Sequence, residues 1–151
     1  MTAPYRDIHG RSTTNRGLSF IDPAALPGYV TALDAQDFQV HFHALGDRAV
    51  RDALDAVAAA RAANGLRDTR PHLAHLQVVH SDDVERFRAL GVTANIQPLW
   101  ACPEPQLDEL TIPFLDPALA TRQNPFGALH RAGATPAART EDREEPAGRI
   151  Q

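Results

Sequence analysis

The sequence has one cysteine, no lysine and no long apolar run among its 151 residues. The single thiol, Cys102, cannot form a disulfide within the chain, and a reducing cytoplasm is the setting that suits it. No stretch approaches the roughly 20 apolar residues that span a bilayer, and residues 1–17 lack the apolar centre of a signal peptide. We therefore expect a cytoplasmic protein that does not contact a membrane.

The chain also lacks an excess of charge of one sign. Its formal net charge is −4, and acidic and basic side chains are interleaved along it. A strongly basic face would be needed to attract nucleic acid. We therefore expect no nucleic-acid partner.

Short runs rich in β-forming residues alternate with helical patterns. The predicted strands cover residues 38–42, 72–79 and 92–97, and predicted helices cover residues 48–63 and follow Ser81. This order is typical of consecutive βα units, which form a parallel sheet, so the α/β class is predicted. An open doubly wound sheet is the alternative arrangement, although no glycine-rich phosphate-binding motif follows any strand.

The composition divides the chain into three parts. Residues 1–20 are polar and predict a loop or a loosely attached arm. Residues 21–135 form the predicted body, whose first helix should start late or kink at Pro27, and whose proline-rich residues 98–125 predict a long irregular loop. Residues 136–151 form a charged tail that cannot bury enough apolar surface to order itself, so we expect it to be disordered.

Two histidines stand near the ends of the first two predicted strands. His43 follows the first strand, and His75 lies within or near the end of the second. Active sites in parallel βα folds lie at the carboxyl ends of the strands, so both side chains could face the same opening at that end of the sheet. Neutral imidazole is a standard zinc ligand, and the pair therefore predicts a metal site with open positions. Two ordinary polar strand residues are the alternative interpretation.

Three other histidines receive structural interpretations. His41 is two residues before His43, so strand alternation places both on the same side. We interpret His41 as a packed core residue, with a substrate-facing residue or a further ligand as alternatives. His72 and His80 flank the second strand and are expected to be solvated or to cap helices.

Weaker signals come from three more residues. Asp47 lies at the turn into the helix, where a helix N-cap is favoured over a catalytic role. Trp100 and Arg122 lie in or after the long loop and are candidate substrate-binding residues, since an indole can wall a pocket and a guanidinium can clamp a carboxylate. Ordinary surface packing explains both equally well. Cys102 has no activating neighbour and receives no catalytic role.

Three motifs, in this order, resemble those of the metal-dependent amidohydrolases: HALGDRAV at 43–50, LAHLQVVH at 73–80 and ANIQPLWA at 94–101. The branch that the chain resembles most includes N-substituted formamide deformylases. The resemblance implies a (β/α)8 TIM barrel with one or two divalent metals, usually zinc, which activate a water for attack on a C–N bond. It also implies that His43 and His75 are the metal ligands of the fifth and sixth strands.

Parts of that family's pattern are missing. No strand with a His-x-His pair precedes residue 15, and the lack of lysine excludes a carboxylated lysine as a bridge between two metals. The last barrel strand should follow residues 133–135 and deliver an aspartate, but the charged tail begins there instead. We therefore expect a partial barrel, about strands five to seven with their helices, that lacks the N-terminal strands and the last strand.

These observations lead to two alternative functions. The first is a fragment of a metal-dependent hydrolase of non-peptide C–N bonds, of the amide or formamide type, which is inactive alone and binds zinc weakly because few ligands remain. The second is a non-enzymatic βα interaction module that has lost the metal site. Exposed sheet edges predict self-association or a complementing chain, and an amide-type small molecule is the expected substrate if the barrel is completed.

Overall fold

The computed structural model describes residues 1–138, and a four-stranded parallel sheet lies at its centre. The order of the strands in the sheet follows their order in the chain, and every neighbouring pair is parallel. The strands are β1 His41–Ala44, β2 His72–His75, β3 Thr93–Ile96 and β4 Thr135–Ala138. This is the α/β arrangement that the alternating sequence pattern predicts.

Helices connect these strands. No helix within residues 1–138 has the length and the apolar character needed to cross a membrane. The helices are α1 Leu26–Asp34, α2 Asp47–Asn64, α3 Ser81–Val84, α4 Arg86–Leu90, α5 Pro105–Asp108, α6 Pro117–Ala120 and α7 Phe126–Arg131, with 3₁₀ turns at Pro98–Ala101 and Ile112–Phe114.

The long helix α2 supplies much of the core. Its alanine-rich sequence has a high intrinsic helix propensity, and Gly65 ends it with a φ of +77°. Its buried stripe includes Val50, Leu54 and Val57, which lie at helical spacing and join Leu73 of β2 in one apolar cluster. Burial of this stripe therefore holds the helix against the face of the sheet that contains Leu73.

A buried polar network joins α1 to α2. The Asp34 carboxylate accepts hydrogen bonds from Arg61 Nη1 at 2.9 Å, from Asn64 Nδ2 at 2.9 Å and from Thr69 Oγ1 at 2.7 Å. Burial by itself raises the pKa of the Asp34 carboxyl, but the hydrogen bonds from Asn64 and Thr69 and the charge of Arg61 outweigh it, so the pKa lies below its ordinary value. The network therefore holds a charged carboxylate between the two helices.

The two faces of the sheet differ in their chemistry. One face contributes Phe42, Leu73 and Ala94 to the apolar cluster beneath the helices. The opposite face carries polar side chains in the neighbouring rung, because successive residues of a strand point to opposite sides. That rung consists of His41, His72, Thr93 and Thr135.

Two predictions about strands are wrong. β2 ends at His75 and not at residue 79, because the backbone leaves the extended conformation there, with positive φ values of +73° at His75 and +51° at Leu76. A strand does follow residues 133–135, where the charged tail was expected to begin, since Thr135–Ala138 pairs with β3. Proline and alanine are poor strand formers, so this strand arises from pairing and not from local preference. Residues 136–138 of the predicted tail belong to it, and residues 139–151 lie outside the described residues.

Residues 1–25 form an irregular arm without a helix or an extended strand. The arm is joined to the long loop by a hydrogen bond from the backbone N–H of Arg6 to the carbonyl of Phe114 at 2.8 Å. The first helix begins at Leu26 with Pro27 in its first turn, so the late start that the proline predicts is confirmed.

Candidate functional site

His43 and His75 lie next to each other at the carboxyl ends of β1 and β2. His43 Nδ1 is 2.8 Å from His75 Nε2, and the centroids of the two rings are 4.9 Å apart. The structure thus brings together the two residues that the sequence singles out as metal ligands. Their role as ligands remains a prediction.

The backbone at the end of β2 turns His75 out of the regular strand pattern. Register pairs His75 with Ala44, whose side chain is buried in the core, so regular alternation would direct the imidazole away from His43. Instead, the N–H of Leu76 donates to the carbonyl of Ala74 at 3.1 Å, around a His75 φ of +73°. This three-residue turn has the φ of a classic γ-turn, which is rare and strained.

Such a conformation has an energetic cost that the surrounding structure must offset. A residue other than glycine at positive φ costs about 1–3 kcal/mol. The N–H of Leu76 also donates to the Ala44 carbonyl at 3.1 Å, and the fully buried Leu76 side chain packs in the core. These contacts hold the turn in place, and strained residues of this kind cluster at active sites and ligand-binding sites.

Gln97 contacts the other side of the His75 ring. Its Oε1 lies 2.6 Å from His75 Nδ1, and the residue is only 4% exposed. Gln97 follows β3 directly, and register pairs the preceding Ile96 with His75. Sequence reasoning missed Gln97. The available signal was a polar side chain directly after a buried parallel strand, the same signal that identified His43.

Trp100 also lies beside the histidine pair. Its ring centroid is 6.4 Å from that of His75, and the residue is 56% exposed on the 3₁₀ turn Pro98–Ala101. The structure therefore brings this candidate substrate-binding residue to the site, where an exposed indole offers an apolar surface to a ligand.

The interpretation of His41 as a packed core residue is wrong. His41 is exposed, and its ring centroid lies 5.3 Å from that of His43 and 6.1 Å from that of His72. Alternation does place it on the same side as His43, but the helices of the described residues cover the other face of the sheet. His41 therefore lies at the rim of the candidate site.

The expectation for His80 is confirmed. It occupies the N-cap position of α3, where its Nδ1 accepts a hydrogen bond from the backbone N–H of Asp82 at 3.3 Å. The helix begins at the next residue, Ser81. His80 therefore has a structural role outside the histidine pair.

Asp47 is not the helix cap that the sequence predicts. Gly46 occupies the N-cap position of α2, and Asp47 is the first helical residue and fully buried. Its carboxylate accepts hydrogen bonds from the backbone N–H of Thr2, at 2.9 Å, and from the Thr2 hydroxyl. A carboxylate in the first turn of a helix also interacts favourably with the helix dipole. Asp47 therefore fastens the N-terminal arm beside the site.

Arg122 lies apart from the histidine pair. It lines a separate groove of about 630 Å³ together with Val79, Ser81 and Thr121. None of His41, His43 and His75 lines that groove. The structure therefore does not place this candidate substrate-binding residue beside the other candidates.

An apolar recess opens next to His43. It has a volume of about 450 Å³ and lies between the arm and the first strand. His41 and His43 are among its polar lining residues. Its apolar lining includes Tyr5, Leu18, Phe20, Ile21, Phe42 and Leu45.

The donor atoms of the site suit a divalent metal but do not complete its coordination. Within residues 1–138 there is no group of three or more His, Cys, Asp or Glu side chains that could hold a metal ion. Zinc prefers imidazole nitrogens such as those of His43 and His75, whose ring centroids lie 4.9 Å apart, yet catalytic zinc normally has three protein ligands. The pair therefore fits as part of a metal site.

Solved structures with a similar fold are metal-dependent hydrolases. The chain superposes with a TM-score of 0.70 on an uncharacterized metal-dependent hydrolase from Pyrococcus furiosus, at 21% identity, over 97% of this chain and 28% of that one. An uncharacterized metal-dependent hydrolase from Pyrococcus horikoshii OT3 gives a TM-score of 0.69 at 21% identity, over 97% of this chain and 27% of that one. At this level of identity the likeness establishes the fold.

Sequence comparison supplies the family. The chain is 38% identical over 84 residues to Protein LONG AFTER FAR-RED 3 from Arabidopsis thaliana, which is 56% of this chain and 14% of that protein. The chain thus spans a small part of the length of these relatives. The sequence profile of the amidohydrolase family matches residues 1–143, nearly the whole chain. The chain therefore belongs to the amidohydrolase family.

Proposed function

We propose that this chain is a section of a metal-dependent hydrolase of non-peptide C–N bonds, and that its four strands form part of a (β/α)8 barrel. The observation that carries the proposal is the 2.8 Å approach of His43 to His75 at the carboxyl ends of adjacent parallel strands. Family membership and the fold of the metal-dependent hydrolases support the same reaction class.

His43 and His75 would hold the metal, which we propose to be zinc because neutral imidazoles are among its preferred ligands. A bound zinc ion supplies Lewis acidity and lowers the pKa of a water molecule. The other residues of the site would bind and orient the substrate. Trp100 offers an apolar surface beside His75, and His41 lies beside His43, where both line the apolar recess.

The shape of the recess suggests a substrate class. Its lining is largely apolar and also includes the polar side chains of His41 and His43. An amide or formamide whose nitrogen carries an apolar substituent would place that substituent in the recess and its C–N bond near His43. This assignment agrees with the similarity of the motifs to the formamide deformylase branch. Arg122 has no part in it, because it lies in the other groove.

The chain by itself should bind metal weakly and hydrolyse little. Two histidines are fewer than the three protein ligands that catalytic zinc usually has. Among the described strands, β1 and β4 are each paired on one side only. We propose that further strands, from a longer polypeptide, a complementing chain or a second copy, pair with these edges and supply the remaining ligands.

The single thiol, Cys102, is compatible with a reducing cytoplasm as the compartment.

A non-enzymatic βα interaction module is the second candidate function. The observation that favours it is the absence of a three-ligand group within residues 1–138. In such a module the same strand edges would bind a partner, and His43 and His75 would be dispensable. The two functions therefore differ in what the histidines contribute.

Calorimetric titration of the full chain with zinc separates these functions. The hydrolase proposal predicts weak, saturable zinc binding that His75→Ala abolishes. His130 is an exposed histidine on α7, so His130→Ala is the control and should leave zinc binding unchanged. Hydrolysis of an N-substituted formamide, measured in parallel with excess zinc, should be barely above the rate without protein. Zinc binding that is unchanged in His75→Ala, or no saturable zinc binding at all, would favour the interaction module.

A further inference from the structure

Gln97 forms a hydrogen bond to His75 that neither the sequence motifs nor the metal proposal explains. Gln97 is buried at the end of β3, and its Oε1 lies 2.6 Å from Nδ1 of the imidazole. A buried amide oxygen at this distance is a strong acceptor with no competition from bulk water. The contact therefore determines both the position of the ring and which of its nitrogens carries the proton.

The bond also selects one tautomer of His75. A neutral imidazole carries a proton on one nitrogen only, and a carbonyl oxygen can only accept. Nδ1 of His75 must therefore carry the proton, and Nε2 must present its lone pair. That lone pair faces His43 Nδ1 at 2.8 Å, so His43 Nδ1 donates to it.

Two independent constraints thus act on His75. The γ-turn, with its φ of +73°, directs the side chain towards His43. The Gln97 bond then sets the rotation of the ring about its own axis and the site of its proton. Both constraints come from residues of the chain itself, and together they fix the orientation of the imidazole.

We propose that Gln97 is the positioning residue of the site: it holds His75 in the Nδ1–H tautomer and so presents Nε2 to a divalent cation. The presentation of Nε2 to a cation rests on the proposed function, whereas the assignment of the Nδ1–H tautomer does not. Groups that hydrogen-bond to metal-binding histidines in this way usually change metal affinity by about 10–100-fold when they are removed.

Nitrogen-15 NMR of the metal-free, full-length chain tests the tautomer directly. The wild-type spectrum should show His75, assigned by its loss in His75→Ala, as the Nδ1–H form. Gln97→Leu keeps the volume but removes the acceptor and should give a mixture of tautomers. Gln97→Glu keeps an oxygen at the same position and should retain the Nδ1–H form. Gln106→Leu, at an exposed glutamine, is the matched control and should leave the spectrum of His75 unchanged.

Zinc calorimetry on the same variants completes the test. Gln97→Leu should weaken binding by about 10–100-fold, while Gln97→Glu and Gln106→Leu should not. Gln97→Asn, which keeps the amide but shortens it, should behave as Gln97→Leu does, and circular dichroism checks that each variant is folded.

The possible failures are distinguishable. An Nε2–H tautomer in the wild type, or an Nδ1–H form that persists in Gln97→Leu and Gln97→Asn, would overturn the role of Gln97 even if zinc binds. Absence of zinc binding together with the expected spectra would overturn the proposed metal function and leave the tautomer assignment intact.

Discussion

Thr2 donates both its backbone N–H and its hydroxyl to the carboxylate of Asp47, which is fully buried at the start of α2. The residues involved are 45 positions apart, so this contact fixes the N-terminal arm to the body of the fold. Met1 packs beside it against Gly46, where a Cβ atom would overlap the Met1 sulfur. The arm in turn forms one wall of the apolar recess next to His43.

Replacing Asp47 should therefore destabilise the fold. Asp47→Ala leaves the Thr2 N–H without its acceptor, and a loss of this kind costs about 1–3 kcal/mol. Denaturant unfolding measures the change. Asp52→Ala on the same helix is the matched control, because Asp52 pairs with the exposed Arg48 and such pairs contribute less than about 1 kcal/mol. Equal effects of the two substitutions would contradict the role assigned to Asp47.

Acid should weaken the junction between α1 and α2. The pKa of Asp34 is below its ordinary value in the folded chain, so its contribution to stability is present above the ordinary pKa and is lost as the pH falls through the folded-state pKa. The unfolding free energy of the wild type should therefore fall between about pH 5 and pH 3, and Asp34→Asn should remove part of that slope.

Asp68→Asn serves as the comparison for the acid experiment. Asp68 also bonds an arginine, Arg70, but both side chains are exposed and water screens their interaction. Its removal should change the slope much less. If Asp34→Asn left the pH dependence of the wild type intact, the buried network would not be a charged one.

Trp100 should report on occupation of the site. It is the only tryptophan of the chain, and its ring lies 6.4 Å from that of His75. Zinc bound to His75 should change the emission of Trp100 in a saturable way, with the same midpoint as calorimetry, because the charge and order of the neighbouring ring change. His75→Ala should remove the change. An emission spectrum that is insensitive to saturating zinc would place the metal elsewhere.

Substitution of Arg122 should leave the histidine site unaffected. Arg122→Ala changes a groove that contains none of His41, His43 and His75, so zinc affinity and the zinc response of Trp100 should match the wild type. Trp100→Ala is expected to lower the affinity for an apolar formamide in a completed enzyme, and Arg122→Ala is not. A reversed order would show that the substrate occupies the second groove.

The sequence alone predicted the parts of the fold that depend on local pattern. The α2 stripe of Val50, Leu54 and Val57 repeats at helical spacing, and His43 directly follows an apolar run, so the helix and the position of that histidine could be read directly. The parallel sheet followed from the alternation of strands and helices.

The missed features depend on tertiary contacts. β4 has the sequence Thr-Pro-Ala-Ala and forms only because β3 offers it a partner. The γ-turn at His75 contradicts local preference and is held by Ala44 and the core. Gln97 and Thr2 gain their roles from residues that are distant in the chain, and no spacing rule connects them.

The central claim is that His43 and His75 share one divalent metal ion, and a double-mutant cycle on zinc affinity tests it most directly. The full chain is titrated as wild type, His43→Ala, His75→Ala and the double variant. If both residues bind the same ion, each single substitution should reduce the affinity nearly as much as the double one, because one imidazole alone cannot retain the metal. Two losses that add independently, or a double variant that binds as the wild type does, would contradict a shared site.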